Sequence, residues 1–249
     1  MADKNGIPTY NYLLKEKMNL LATYKGLNGN EYGIFSDMLK VLGSKLRTRI
    51  KNHYQNVIVI TGETGSGKST LALRLILELN PNWELQGNYI YDASDMARKL
   101  RHKETADKIS LYDEGSVSFN SLNYSRRSDK QQIVILDTCR SLGWTTIICI
   151  PSINDLNKRI REHLVDFLLV CPNRPLVKGY DKRGFFEVYR PRRDTWAKDT
   201  FYEPLGAGTY SRITGRLADE YEAIKFNHQM ALLSDFTKEH GDEYDEEEE

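Results

Sequence analysis

The eight residues Gly62-Glu63-Thr64-Gly65-Ser66-Gly67-Lys68-Ser69 constrain this chain more than anything else in it. They match the pattern GxxxxGK[ST] at every fixed position. They also lie between a β-branched run, Val57 to Thr61, and a helical stretch, Ser69 to Leu79, with Leu71, Leu75 and Leu79 along one stripe. The spacing has a physical reason. Glycines reach backbone conformations closed to other residues, so successive N–H groups can turn inward on a polyphosphate. The following helix adds the positive end of its dipole. On this reading Gly62, Glu63, Thr64, Gly65, Ser66, Gly67, Lys68, Ser69 and Thr70 hold a nucleotide, with ATP as the expected one. Lys68 is expected to reach the β- and γ-phosphates, and the Ser69 hydroxyl to ligate Mg2+. The bland alternative, a glycine-rich turn that binds nothing, leaves the agreement of strand, loop, lysine, hydroxyl and helix unexplained.

A second segment fits the same chemistry. Ile109-Ser110-Leu111-Tyr112 is a short apolar run ending in two carboxylates, Asp113 and Glu114. A nucleotide hydrolase needs an acid at a neighbouring strand end to hold Mg2+ and a base to activate water. Asp113 is expected in the first role and Glu114 in the second. Asp92 also follows a strand-like run, but no second acid follows it. A kinase acting on a bound hydroxyl would have no use for the second acid.

Between and beyond these motifs the pattern alternates. Strands are expected at Val57–Thr61, Tyr89–Tyr91, Ile109–Tyr112, Thr145–Ile150 and Phe167–Cys171. Helices are expected at Ser69–Leu79, Ala93–Leu100, Lys130–Leu142 (closed by Gly143) and Leu217–Phe236. Such alternation implies an α/β fold: a mainly parallel sheet with helices on both faces. Residues 1–52 read as a helical lead-in broken by glycines, residues 53–240 as the main domain and residues 241–249 as an acidic tail. Leu176–Tyr180 and Phe185–Tyr189 flank the turn 181–184 and read as a β-hairpin near residues 176–190. Beyond Pro191 the pattern is less regular.

Charge adds one asymmetry. Formal net charge is zero, yet residues 242–249 carry seven acids and no base, which leaves a basic body and a tail expected to be disordered. Within residues 174–198 eight basic side chains are interleaved with aromatics. Lys182, Arg183, Arg190, Arg192 and Arg193 are the candidate nucleic-acid contacts. An ordinary hairpin with solvated bases explains the same pattern equally well. No apolar run approaches the roughly 18 residues of a membrane span, and a cytoplasmic location (host cytoplasm if the protein is viral) is expected. Cys139, Cys149 and Cys171 are too far apart for a CxxC pair and read as reduced core residues.

The stretches GETGSGKST at 62–70, LYDEGS at 111–116 and LDTCRSLGWTTIICIPS at 136–152 together resemble the P-loop division with an additional central strand and a catalytic glutamate. Within it the chain is similar to the FtsK/HerA lineage of DNA pumps and viral genome-packaging ATPases. The resemblance spans roughly residues 55–190. It implies a RecA-like sheet in which one strand separates the phosphate-loop strand from the catalytic strand. It also implies rings, hexameric or pentameric, acting on double-stranded DNA, with other packaging or assembly proteins as partners. A neighbour's arginine would complete each site, and Arg140 stands where such an arginine is expected. Arg126, Arg127, Arg159 and Arg161 are further candidates. The polar sensor expected after the fourth strand is replaced here by Pro151-Ser152, with Asn154 beyond. The chain also resembles the cytosolic part of the zonula-occludens-toxin-like ATPases of filamentous phages. The expected function is therefore a DNA-translocating packaging motor. Alternatives are a non-motor assembly or extrusion ATPase and a helicase loader, with a small-molecule kinase behind them.

Overall fold

The β-branched run before the phosphate loop forms β3, Asn56–Thr61, and all six of its residues are buried. A strand covered on both faces cannot alternate polar and apolar residues, which is why this one reads as a continuous apolar run. The computed structural model describes residues 18–25, 29–91, 93–101, 108–113, 134, 136, 137, 142–173, 184–193 and 200–240. Contacts divide the chain into two units, residues 1–212 and 213–249.

In the first unit β3 pairs in parallel with β6, Thr145–Ile150, on one side and β7, Phe167–Val170, on the other. β5, Ile109–Tyr112, lies parallel to β6, and β4, Tyr89–Ile90, parallel to β5. β6 therefore stands between the strand that leads into the phosphate loop and the strand that ends at Asp113. Alternation along β3 serves two layers. Val57 and Val59 join a core with Met96 of α3, Ala93–Arg101, and with Leu136, Trp144 and Leu168. Ile58 and Ile60 point the other way, to the face where α1, Met38–Lys51, and α2, Lys68–Leu79, pack. The two helices turn Met38, Leu42, Leu46, Leu71, Leu75 and Ile76 inward, all fully buried.

The sheet then continues past β7 in mixed sense. β8, Phe185–Arg193, runs antiparallel to β7, and β9, Thr200–Thr209, antiparallel to β8. β2, Glu31–Phe35, adds in parallel to β9, and β1, Leu20–Lys25, forms an antiparallel edge on β2. The nine strands make one sheet in the order β1-β2-β9-β8-β7-β3-β6-β5-β4.

One expectation is corrected here. The lead-in is not all helix: Leu20–Lys25 and Glu31–Phe35 are strands, and the helix starts at Met38, after Ile34 and Phe35 have already been used in β2. Phe185–Tyr189 of the expected hairpin lies in β8, which pairs with β7 and β9. Leu176–Tyr180, the other arm of that hairpin, lies outside the described residues, as does most of the expected helix 130–142.

The second unit holds α4, Arg216–His240, which begins after Gly215 at φ +83 and carries an Arg216–Glu220 ion pair one turn apart at 3.0 Å.

Candidate nucleotide-binding site

All the recognisable chemistry gathers at the carboxyl ends of the parallel strands. β3 leaves the sheet into the loop 62–67, in which Gly62, Gly65 and Gly67 have φ of +151, +75 and +95. These are conformations that side-chain-bearing residues rarely adopt. The loop is pinned to both neighbouring strand ends. Gly62 N–H donates to the Pro151 carbonyl after β6 (3.2 Å), and Cys171 N–H after β7 donates to the Thr61 carbonyl (2.8 Å). α2 then starts at Lys68 with Gly67 as its N-cap residue.

The Lys68 ammonium donates to the carbonyls of Gly62 (2.8 Å) and Glu63 (3.0 Å), folding over the loop it belongs to. The Ser69 hydroxyl donates to the Asp113 carboxylate, 3.0 Å from one oxygen and 3.2 Å from the other. The two sequence motifs thus become one cluster, because β5 and β3 run parallel with only β6 between them, and β5 ends two residues short of β3 along β6. A serine hydroxyl and a carboxylate side by side are hard oxygen donors of the kind Mg2+ takes alongside phosphate oxygens. Among the described residues no group of three or more His, Cys, Asp or Glu side chains is placed to hold a metal by itself.

Sequence reading missed several contributors to the loop. Asn173, just past β7, donates its amide to the Glu63 carboxylate at 2.9 Å. Tyr210, just past β9, places its hydroxyl 3.2 Å from the Ser66 carbonyl and 3.3 Å from the Gly67 carbonyl. Arg74 of α2 donates to the carbonyls of Ser211 and Arg212. None of these has a local motif; each depends on which strand ends beside the loop.

Cys171 is buried, as expected for a core cysteine, but it borders the phosphate loop. Burial pushes its thiol up to about 11; the Tyr210 hydroxyl and the Lys68 ammonium pull weakly the other way. The Ser66 hydroxyl beside it also favours the thiolate, although that hydroxyl makes no hydrogen bond of ordinary geometry. The thiolate is the reactive form. At pH 8, native Cys171 is therefore expected to alkylate about 100-fold more slowly than in the unfolded chain on ionisation alone. Peptide mapping after timed iodoacetamide treatment reads this, and equal rates would refute it. A thiol raised from 9 to about 11 contributes fully to stability below pH 9, and its contribution is lost as pH rises through 11.

The remaining candidates divide. Arg190 and Arg192 of β8 both reach Glu203 of β9, at 3.3 Å and 2.8 Å, and the Glu203 side chain is only 6% exposed. A buried carboxylate needs such partners, so both arginines balance the Glu203 charge, while the Arg192 side chain stays 64% exposed. Arg159 pairs with Asp137, and Arg161 donates to the Asn154 side chain at 3.2 Å. Glu114, Arg140, Arg126, Arg127, Asp92, Cys139, Lys182, Arg183, the Arg193 side chain and the acidic tail lie outside what the structure describes.

A five-strand parallel core in the order β4-β5-β6-β3-β7, a glycine loop opening α2 and an acid one strand away from that loop's own strand are the features of a P-loop NTPase. Parts of the chain are similar to known proteins. The family model described as Novel STAND NTPase 3 matches residues 46–165, just under half of the chain. Among curated proteins, the Gene 1 protein of Salmonella phage IKe is 26% identical over 157 residues, covering 49% of this chain and 43% of that protein. The Gene 1 protein of Enterobacteria phage I2-2 is 24% identical over 159 residues, with the same coverage. The chain thus spans less than half the length of the curated relatives it matches. Among solved structures, the genome packaging NTPase B204 of Sulfolobus turreted icosahedral virus 2, bound to ATP-gammaS, has a TM-score of 0.40 at 17% identity, over 54% of this chain and 92% of that one. The N-terminal domain of zonular occludens toxin from Neisseria meningitidis has a TM-score of 0.41 at 15% identity, over 65% and 96%. No helix among the described residues is long and apolar enough to cross a membrane.

Proposed function

We propose that this chain hydrolyses Mg2+-ATP to drive work on a nucleic acid during the assembly of a virus or phage. The observation that carries the hydrolytic half is the contact between Ser69 and Asp113, which joins the phosphate loop to the neighbouring acidic strand end. In this reading Ser69 and Asp113 hold Mg2+, Asp113 through water, and the ion neutralises phosphate charge when bound. Lys68 exchanges its bonds to the Gly62 and Glu63 carbonyls for the β- and γ-phosphates. The amides of residues 65–70 surround the phosphates at the positive end of α2. Glu114, the residue after Asp113, takes the proton of the attacking water. Arg140 acts on the γ-phosphate of a neighbouring subunit in a hexameric or pentameric ring.

The resemblance to DNA pumps and the basic body of the chain support double-stranded DNA as the polymer moved. Lys182, Arg183, Arg190, Arg192 and Arg193 are the candidate contacts, with Arg190 and Arg192 also paired to Glu203. A second reading, an assembly or extrusion ATPase that moves no DNA, is favoured by the matches to phage Gene 1 proteins. The two readings separate in one experiment. Double-stranded DNA should stimulate ATP turnover several-fold at low salt, and the stimulation should fade as salt rises, because phosphate contacts release counterions. Turnover that is the same with and without DNA at every salt concentration would remove the translocation reading and leave the assembly ATPase.

A further inference from the structure

We propose that Tyr210 is a positioning residue for the nucleotide: its hydroxyl holds the Ser66–Gly67 and Gly67–Lys68 peptides with their N–H groups facing the phosphates. The inference rests on the reading of residues 62–70 as the phosphate loop.

The geometry begins with the peptide plane. In a trans peptide the C=O and N–H point in opposite directions. The Ser66 carbonyl shares its plane with the Gly67 N–H, and the Gly67 carbonyl shares its plane with the Lys68 N–H. The Tyr210 hydroxyl lies 3.2 Å from the first carbonyl and 3.3 Å from the second, so its single proton is shared between them. A hydroxyl fixed behind the two carbonyls sets the direction of the two amides in front. Those amides sit where the loop turns into α2, the place at which a polyphosphate is gripped.

Tyr210 is itself held. Its N–H donates to the Gly184 carbonyl at 2.8 Å, just before β8. Its ring lies 6.1 Å from that of Phe186, centroid to centroid. Arg74, in the second turn of α2, grips the carbonyls of the next two residues, Ser211 and Arg212. The approach to the loop is close: a Cβ on Gly67 would stand 2.4 Å from the Tyr210 hydroxyl oxygen. Gly67 is therefore needed twice, for its φ of +95 and for the tyrosine behind it. Among the described residues, Tyr210 carries the end of β9 to the nucleotide loop, a link that no pattern in residues 62–70 discloses.

The test is Tyr210→Phe, which keeps the ring against Phe186 and removes only the hydroxyl. Binding of Mg2+-ADP is measured by calorimetry on the full chain, and the nucleotide-free melting temperature is measured in parallel. Dissociation constants should rise about fivefold to tenfold, the scale of one hydrogen bond, while the nucleotide-free melting temperature stays nearly that of the wild type. In turnover the KM for ATP should rise with kcat little changed, as for a loss of uniform binding. A melting temperature that falls while the ADP affinity is unchanged would make Tyr210 structural only and overturn the proposal. An unchanged affinity with unchanged melting would overturn it as well. Wild-type protein that binds no nucleotide would sink the phosphate-loop reading itself, an outcome separate from either.

Discussion

Glu114→Gln is expected to leave ATP binding nearly intact and to lower turnover by on the order of 10²-fold or more, the scale of a lost general base. The expectation rests on position. Asp113 directly follows β5 and bonds Ser69, which assigns it the metal role and leaves the next carboxylate in the chain, Glu114, as the candidate base. Glutamine keeps the size and the hydrogen-bonding capacity but cannot take a proton. Single-turnover hydrolysis, with ATP affinity measured on the same preparation, separates the two effects. Wild-type turnover in the variant would remove Glu114 from the mechanism and return attention to Asp92. Weakened binding with unchanged turnover at saturation would instead make Glu114 part of the metal site.

Lys68→Ala is expected to weaken ATP affinity by about 10²-fold, since the loop loses its lysine charge at the β- and γ-phosphates and charge-assisted hydrogen bonds are the strong ones. Within the loop the ammonium bonds the carbonyls of Gly62 and Glu63; binding exchanges those bonds for the phosphates, which offsets part of the gain. Lys68→Arg tests the charge separately. A guanidinium keeps the charge but is broader and planar, so it should restore less than the charge alone would suggest. Equal ATP affinities for wild type and Lys68→Ala, by calorimetry, would remove the nucleotide site from Gly62–Thr70.

The parts of the fold that were legible in the sequence share one cause. β3, β5, β6 and β7 are buried in the sheet, so their residues are mostly apolar on both faces and each run predicts its own strand. The strands that were not legible lack this protection. β9 contains Pro204, Gly206 and Gly208, which read as loop. Its glycines answer to a helix distant in sequence: a Cβ on Gly208 would meet the Met38 Cβ at 2.6 Å and the Phe186 ring at 2.7 Å. β1 and β2 pair locally, but their place in the sheet is set by the pairing of β2 with β9, and no local window contains that. The site divides in the same way. The phosphate loop and Asp113 announce themselves because their chemistry fixes residue type and spacing within a few positions. Tyr210 and Asn173 do not, because they reach the loop from the ends of β9 and β7, and only the strand order brings those ends together.

That strand order also bears on how the protein is made. Ile34 of β2 finds its neighbour at Ala207 of β9, so a growing chain holds its first strand pair without a partner until nearly all of the first unit has left the ribosome. Contacts this distant in sequence are paid for late, in loop-closure entropy, and they slow folding. Until they form, β2 presents an unsatisfied backbone edge, a ready template for another chain. A ribosome stalled before residue 200 would hold the parallel core without its far edge, and that length marks where a chaperone's protection of the nascent chain would matter most.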